Sequence, residues 1–251
     1  FNWARRMGGI DSDKAYGIAS DNNGSIYITG YFVGAADFSS NITLTGSGHT
    51  DIFLAKFDTA GTLQWAEQAG DTGFDRGWDV NINVNGQILI TGEFQTGHFG
   101  SNMAYSQGHE DMFLACYNSN GNNLWVVSGG GEEDDIGRGV SHDTSGNIFV
   151  IGDYAVSGIF PPVTITSNGF ADVFLASYLS DGSGLNWIRT MGGLDSDRGR
   201  GVGTDLAGNI NICGEYVDSI RFDSSNLIGD TLLDIFVARV TQGNFCSTQV
   251  S

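Results

Sequence analysis

The residues best placed to do chemistry in this chain are carboxylates on short loops. Asp11-Ser12-Asp13 and Asp195-Ser196-Asp197 each set two hard oxygen donors one residue apart, the donor type that Ca2+ takes. Asp11, Asp13, Asp195 and Asp197 are therefore the candidate metal ligands, and Ca2+ is the cofactor they would suit. No EF-hand spacing surrounds them, and the same side chains can instead accept loop N–H groups or pair with Lys and Arg. A second candidate set is Tyr16, Trp78, Arg138 and Arg200. Aromatic and guanidinium groups sharing one place can stack on sugar faces or clamp a carboxylate, or they can plug a channel against one another. His49, His98, His109 and His142 share no catalytic or metal-ligand spacing with Cys, Ser or carboxylate. There is no Gly-x-Ser-x-Gly, phosphate loop or spaced carboxylate pair of glycosidase type. The expected class is non-catalytic, with a glycan lyase or hydrolase at a channel mouth as the enzymatic alternative.

The elements that must position these residues are written four times. DKAYGIASDNNGSIYITGYF from Asp13 recurs from Asp75, Asp135 and Asp197. Each copy has two apolar runs joined by a polar turn with Gly24, Gly86, Gly146 or Gly208, the pattern of a β-hairpin. Asp21, Asn83, Asp143 and Asp205 precede the turns, where Asx hydrogen bonding accounts for them. Trp3, Trp65, Trp125 and Trp187 stand 62, 60 and 62 residues apart, and a period of that size is a repeat architecture. A looser connection with Phe38, Phe99, Phe160 or Phe222 follows each hairpin. Then comes a third strand beginning Asp51-IFLAKF, Asp111-MFLACY, Asp172-VFLASY or Asp234-IFVARV, and a fourth carrying the next Trp.

Four antiparallel strands per repeat predict an all-β, four-bladed β-propeller in a single domain spanning 1–251. The blades cover about 14–69, 76–129, 136–191 and 198–240 plus 1–6. Residues 1–6 are expected to close the ring as the outer strand of the last blade, with Trp3 beside Asp234–Val240, since an unclosed edge invites aggregation. An excerpt from a larger ring is the other reading. In a propeller the fourth-to-first and second-to-third loops share a face, which gathers fifteen of the 29 acidic residues. Tyr16, Trp78, Arg138 and Arg200 start the innermost strands, at the channel mouth.

Composition agrees. The chain has 38 Gly, two Pro and no window of helical period, and 40% of its residues are hydrophobic, in phase with the repeat. A net charge of −18 argues against nucleic acid and anionic membrane surfaces, which demand basic clusters; solubility alone is the plain alternative to a cation or a basic partner. No apolar stretch reaches membrane-spanning length. The start at Phe1 without Met fits a processed or trimmed product. Of the three cysteines, Cys213 is expected as a small core filler at a strand position that holds Thr29, Thr91 and Ile151 elsewhere, with a bridge to Cys246 the alternative.

The joint motifs W-x4-G-G-x3-D, D-x2-G-x-I-[YF]-[IV]-x-G-[YF] and G-x2-D-[IV]-F-[LV]-A resemble the bacterial SBBP-type β-propeller repeat over nearly the whole chain. Asn83 and Asp71 depart from the pattern in the second copy. NHL repeats and the sialidase Asp-box share parts of the hairpin but lack the joint pattern. The resemblance implies secreted or cell-surface proteins, often modules of larger chains, with no common enzymatic activity. A protein or glycan partner held on the acidic loop face is the resulting expectation; the alternative is an assembly subunit of a surface complex or filament.

Overall fold

The computed structural model describes residues 2–223 and 225–240, all of them strand, turn or irregular, with no helix among them. In the first repeat β1 (Lys14–Ser20) and β2 (Ile26–Phe32) form the hairpin, followed by the short pair β3 (Ala35–Ser39) and β4 (Ile42–Thr45). β5 (Asp51–Phe57) returns along β2, and β6 (Leu63–Gly70) carries Trp65 on its outer side. The second repeat restates this as β7 (Arg76–Ile82), β8 (Ile88–Phe94), β9 (Thr96–Phe99), β10 (Asn102–Tyr105), β11 (Asp111–Tyr117) and β12 (Asn123–Gly129). In the third, hairpin arm and connection fuse: β13 (Asp135–His142), β14 (Ile148–Phe160), β15 (Val163–Tyr178) and β16 (Leu185–Met191). The fourth has β17 (Arg198–Thr204), β18 (Ile210–Phe222) and β19 (Ser225–Val240).

Local chemistry accounts for each hairpin. Asp21 Oδ1 accepts the Asn23 and Ser25 N–H groups at 2.9 Å, and Gly24 closes the turn at φ +81°, a region costly for side chains with Cβ. Asn83, Asp143 and Asp205 repeat those two bonds. All pairing is antiparallel, as predicted, but the sheets differ from four uniform blades. The sheet of β1-β2-β5-β6 is extended by β9-β10, because the connection hairpin of the second repeat reaches back to β6 through Ala69↔Phe99 and Gly70↔His98. The fourth sheet has three strands among the described residues.

Ring closure is the expectation that the structure corrects. Residues 2–7 do not pair with β19. The Trp3 indole N–H donates to the Thr59 carbonyl at 3.1 Å and Gly8 bridges Asp37. Trp65 does the same with Ser119 at 3.1 Å in the next repeat, and Gly130 and Gly192 bridge Ile159 and Arg221. The N-terminal segment thus behaves as an outer strand docked on the repeat that follows it, and this contact does not require a sheet behind it. The tail beyond Val240, including Cys246 and the turn Thr241-Gln242-Gly243, lies outside the described residues, as does Phe1.

Cores form between sheets. Ile52 and Leu54 pack with Val80, Ile90 and Phe113; Met112 and Leu114 with Val150 and Phe174; Val173 and Leu175 with Ile212 and Phe236. Cys213 is exposed, contrary to expectation, because it lies on the far side of the last sheet, where no further repeat covers it.

Between the hairpin and connection arms the chain takes positive φ at one repeated place: Gly34 (64°), Val156 (58°) and Asp218 (61°). A β-branched residue is the poorest fit there, and the Val156 side chain is exposed. Val156→Asn is expected to raise unfolding free energy by about 1 kcal/mol in chemical denaturation; an unchanged or lowered value would mean that the strain is not carried by this residue.

Candidate functional site

The innermost strands β1, β7, β13 and β17 lie in succession. Asp79 on β7 caps Val80 N–H within its own strand and accepts Val140 N–H from β13 at 2.9 Å. Asn81 meets His142 at 3.0 Å, and Thr204 donates to the His142 carbonyl. This stepwise contact brings three of the four mouth residues together. Tyr16 stacks on Trp78 with ring centroids 4.3 Å apart and planes at 28°, and the Arg138 guanidinium lies 5.4 Å from the Trp78 ring. Arg200 follows on β17, more exposed than Arg138.

Each Arg in this band meets a carboxylate that sequence reasoning did not single out. Arg76 pairs with Glu93, Arg138 with Asp153, and Arg200 with Glu215, which Arg198 also approaches at 3.6 Å. Glu93, Asp153 and Glu215 all occupy the place just after the hairpin Gly, where the first repeat has Tyr31. An acid at that place in three copies, with Arg on the facing first strand in the same three, was the available signal. Burial pushes Glu93 and Asp153 up from the ordinary carboxylate range, against the pull of Arg76 and Arg138. The Arg200 hydrogen bond, with less burial to oppose it, holds Glu215 below that range. The Trp78 indole nitrogen is buried near Glu93 and favours its charge, without completing a hydrogen bond of normal geometry. Trp78 and Arg138 are thus largely engaged within the band, whereas Tyr16 and Arg200 present free surface.

The proposed metal ligands are not brought together. Asp11 and Asp13 lie at the loop before β1, Asp195 and Asp197 at the loop before β17. Asp13 accepts Gly9 N–H at 2.7 Å and Val33 N–H at 3.2 Å; Asp197 accepts Gly193 N–H at 2.7 Å. Among the described residues no group of three or more His, Cys, Asp or Glu is arranged to hold a metal ion. Asp13 and Asp197 spend carboxylate oxygens on loop N–H groups, the loop-fixing alternative to a cation. EDTA is accordingly expected to leave the melting temperature unchanged, with added Ca2+ giving no upward shift.

Asp13 and its equivalents belong to a repeated clamp. Asp75 accepts N–H from Asp71 and Gln95, and Asp135 from Gly131 and Ala155. Their own N–H groups cross to the preceding repeat, onto the carbonyls of Thr50 and Glu110, as Asp197 does onto Ala171. A second carboxylate, at the start of the third strand, faces each junction. A Cβ placed on Gly130 would lie 2.5 Å from Asp111 Oδ1 and 2.8 Å from Asp135 Oδ2, so the two oxygens approach within about 5 Å. Asp111 Oδ1, Asp172 Oδ1 and Asp197 Oδ1 are buried with no hydrogen-bond partner. Burial first, then the neighbouring carboxylate, pushes Asp135 up to about 8 and Asp75 and Asp197 to about 7; burial alone takes Asp111 to about 7.

These groups hold protons in the folded chain that the unfolded chain releases above about pH 4, so their stabilising contribution is complete below pH 4 and is lost as pH rises through about 7 to 8. The melting temperature should fall between pH 5 and 8.5. Asp111→Asn keeps an acceptor for Gln107 N–H, which now bonds Oδ2 at 2.9 Å, and removes a charge beside Asp135. It should raise the melting temperature at pH 8 and flatten the fall; a steeper fall would contradict the pairing.

On the turn-bearing face a groove of about 700 Å3 runs across the first three repeats, lined by Asp21, Asn23, Tyr27, Lys56, Asn83 and His142. Burial holds the His142 pKa below its ordinary value, and Lys56 reaches the Ser119 carbonyl at 3.3 Å.

The class these features define is an all-β protein of propeller-type repeats whose described residues form no closed sheet. Residues 2–31 match the family model of SBBP, the β-propeller repeat. Over 168 residues, 64% of the chain, the sequence is 26% identical to Regulatory protein FlaEY of Caulobacter vibrioides, and the match covers 18% of that protein. Over 98 residues, 37% of the chain, it is 29% identical to the uncharacterized WD repeat-containing protein L264 of Acanthamoeba polyphaga mimivirus, across 7% of that protein. The chain spans less than a fifth of the length of these relatives.

Proposed function

We propose that this chain is a secreted or cell-surface binding module that holds a protein or glycan partner across its acidic loop face, with Tyr16 and Arg200 as the free ends of the contacting band. The observation that carries the reading is the Tyr16–Trp78–Arg138 stack. It places an aromatic and cationic surface, rimmed by Glu93, Asp153 and Glu215, at the end of the molecule where the exposed acids Asp11, Glu132, Glu133 and Asp134 lie. Aromatic faces stack sugar rings or prolyl and guanidinium groups, and the surrounding carboxylates accept hydroxyl or cationic donors. With net charge −18, nucleic acid and membrane insertion are not part of the proposal. A role as an assembly subunit is the second reading, favoured by the edge of β19, which pairs with no further strand among the described residues.

Tyr16 is 40% exposed and Arg200 is comparably open, so both can be truncated with little loss of packing. Tyr16→Ala with Arg200→Ala should melt as the parent does and bind its best partner on a glycan or peptide array at least tenfold more weakly, about 1.4 kcal/mol. A double variant that binds as the parent does would move the functional surface elsewhere, with the turn-face groove the next place to test.

A further inference from the structure

The groove on the turn-bearing face holds side chains that neither the fold nor the mouth uses. Its lining comes from the β1–β2 turn, the β7–β8 turn, the β11–β12 turn at Ser119 and the end of β13 at His142. Its volume of about 700 Å3 falls within the span of small-molecule sites, roughly 300–1,000 Å3. Lys56 is the residue there that packing does not explain. It pairs across its sheet with Tyr27 as Arg239 does with Asn211 in the fourth repeat. Arg239 bonds Asn211 at 2.9 Å and approaches Asp205, the carboxylate before its own hairpin turn, at 3.8 Å. Asp21 is the equivalent carboxylate in the first repeat, but its oxygens are committed elsewhere. Oδ1 accepts the Asn23 and Ser25 N–H groups, and Oδ2 accepts the Tyr27 hydroxyl at 3.2 Å. The Lys56 ammonium instead lies 5.4 Å from the Tyr27 ring and donates to the Ser119 carbonyl at 3.3 Å. Among the described residues it forms no ion pair, in a chain of net charge −18 where Arg76, Arg138, Arg200 and Arg239 all have carboxylate partners.

The rest of the lining suits hydroxyl groups better than a bare ion. Ser20, Asn22 and Asn23 present side chains that both donate and accept hydrogen bonds, and none of the three has a side-chain partner among the described residues. His142 Nδ1 donates to Asn81 Oδ1 at 3.0 Å, which leaves Nε2 of the neutral ring as an acceptor. Ile82 and Val84 add a short apolar strip. We propose that this groove is a binding site, separate from the mouth, for an acidic sugar: a hexuronate whose carboxylate is taken by Lys56, whose hydroxyls meet the amide and hydroxyl side chains, and whose C–H face lies on Ile82 and Val84.

The composition of the groove changes from repeat to repeat, as a site of this kind requires. The place of Lys56 holds Cys116 and Ser177 in the next two repeats, and that of Tyr27 holds Leu89 and Phe149. A cation over an aromatic ring beside uncommitted amides therefore occurs at the first of these turns and not at the second or third. The field of a chain with net charge −18 opposes a long polyanion. One ammonium matches one carboxylate, so the occupant is a single hexuronate, free or at the end of a glycan.

Calorimetric titration of the 251-residue chain with glucuronate should show saturable binding, roughly tenfold tighter than glucose or acetate. Lys56→Gln should weaken glucuronate to the level of glucose, and Lys56→Arg should restore it. Val84 is 53% exposed on its turn, so Val84→Glu should keep the melting temperature of the parent and, by like charge, weaken glucuronate by roughly tenfold, whether or not Lys56→Gln folds. A disaccharide ending in glucuronate separates the two sources: tighter binding than the free sugar points to a glycan end, equal binding to the monosaccharide, and either upholds the site. No saturable binding of glucuronate or the disaccharide would overturn the proposal. So would glucose or acetate binding as tightly as glucuronate, or Lys56→Gln and Val84→Glu both binding as the parent does. The Tyr16→Ala, Arg200→Ala variant should bind glucuronate unchanged; a loss there would put the sugar at the mouth and overturn the groove, so the two readings fail separately.

Discussion

A buried carboxylate at each repeat junction is the interaction on which the rest of the structure rests. Where one sheet hands over to the next, the chain must turn sharply and bury loop N–H groups, which are expensive to leave without acceptors. Asp75 and Asp135 each supply two acceptor oxygens to two loops at once, one four residues back and one twenty ahead, while their own N–H groups reach the preceding repeat. A neutral side chain with one acceptor could not serve both loops. The cost is burial and a second carboxylate close by in low dielectric, which together push these carboxyl groups up from the ordinary range. Loop position, strand start and inter-sheet spacing all follow from that arrangement.

Because each junction joins unlike surfaces, every repeat depends on its neighbour for cover. Stability in such an array is close to a sum over units and nearest-neighbour contacts, which makes the terminal units atypical. The fourth repeat shows this, with Cys213 in solvent where Thr29 and Thr91 are buried and bonded to the Phe53 and Phe113 carbonyls.

The mouth obeys a different constraint. Val80 and Val140 stay alike because each fills the same space between sheets, but the residues two places earlier meet one another across sheets as stacked or cationic pairs rather than as core. Chemistry there varies from Tyr16 to Trp78 to Arg138, with the charge of each Arg compensated one strand away by Glu93, Asp153 or Glu215. The outcome is a surface whose side chains differ from repeat to repeat.

The repeat, the hairpins, the third strands and the Trp positions were legible in the residues alone. Alternation of apolar side chains, Asx turns and Gly at φ > 0 are local codes, and four copies allow each to be checked against the others. The acidic loops were visible too, but their role was not: whether Asp13 and Asp197 gather a cation or hold N–H groups depends on which loops lie within 3 Å, and neither loop is local. The same holds for Glu93 and Asp153, whose Arg partners lie on the adjacent strand, 17 and 15 residues away in the chain. Ring closure was decided furthest from the sequence. Four units of one pattern are compatible with a closed circle or an open array, because each repeat encodes its contact with the next and not the course of the whole series.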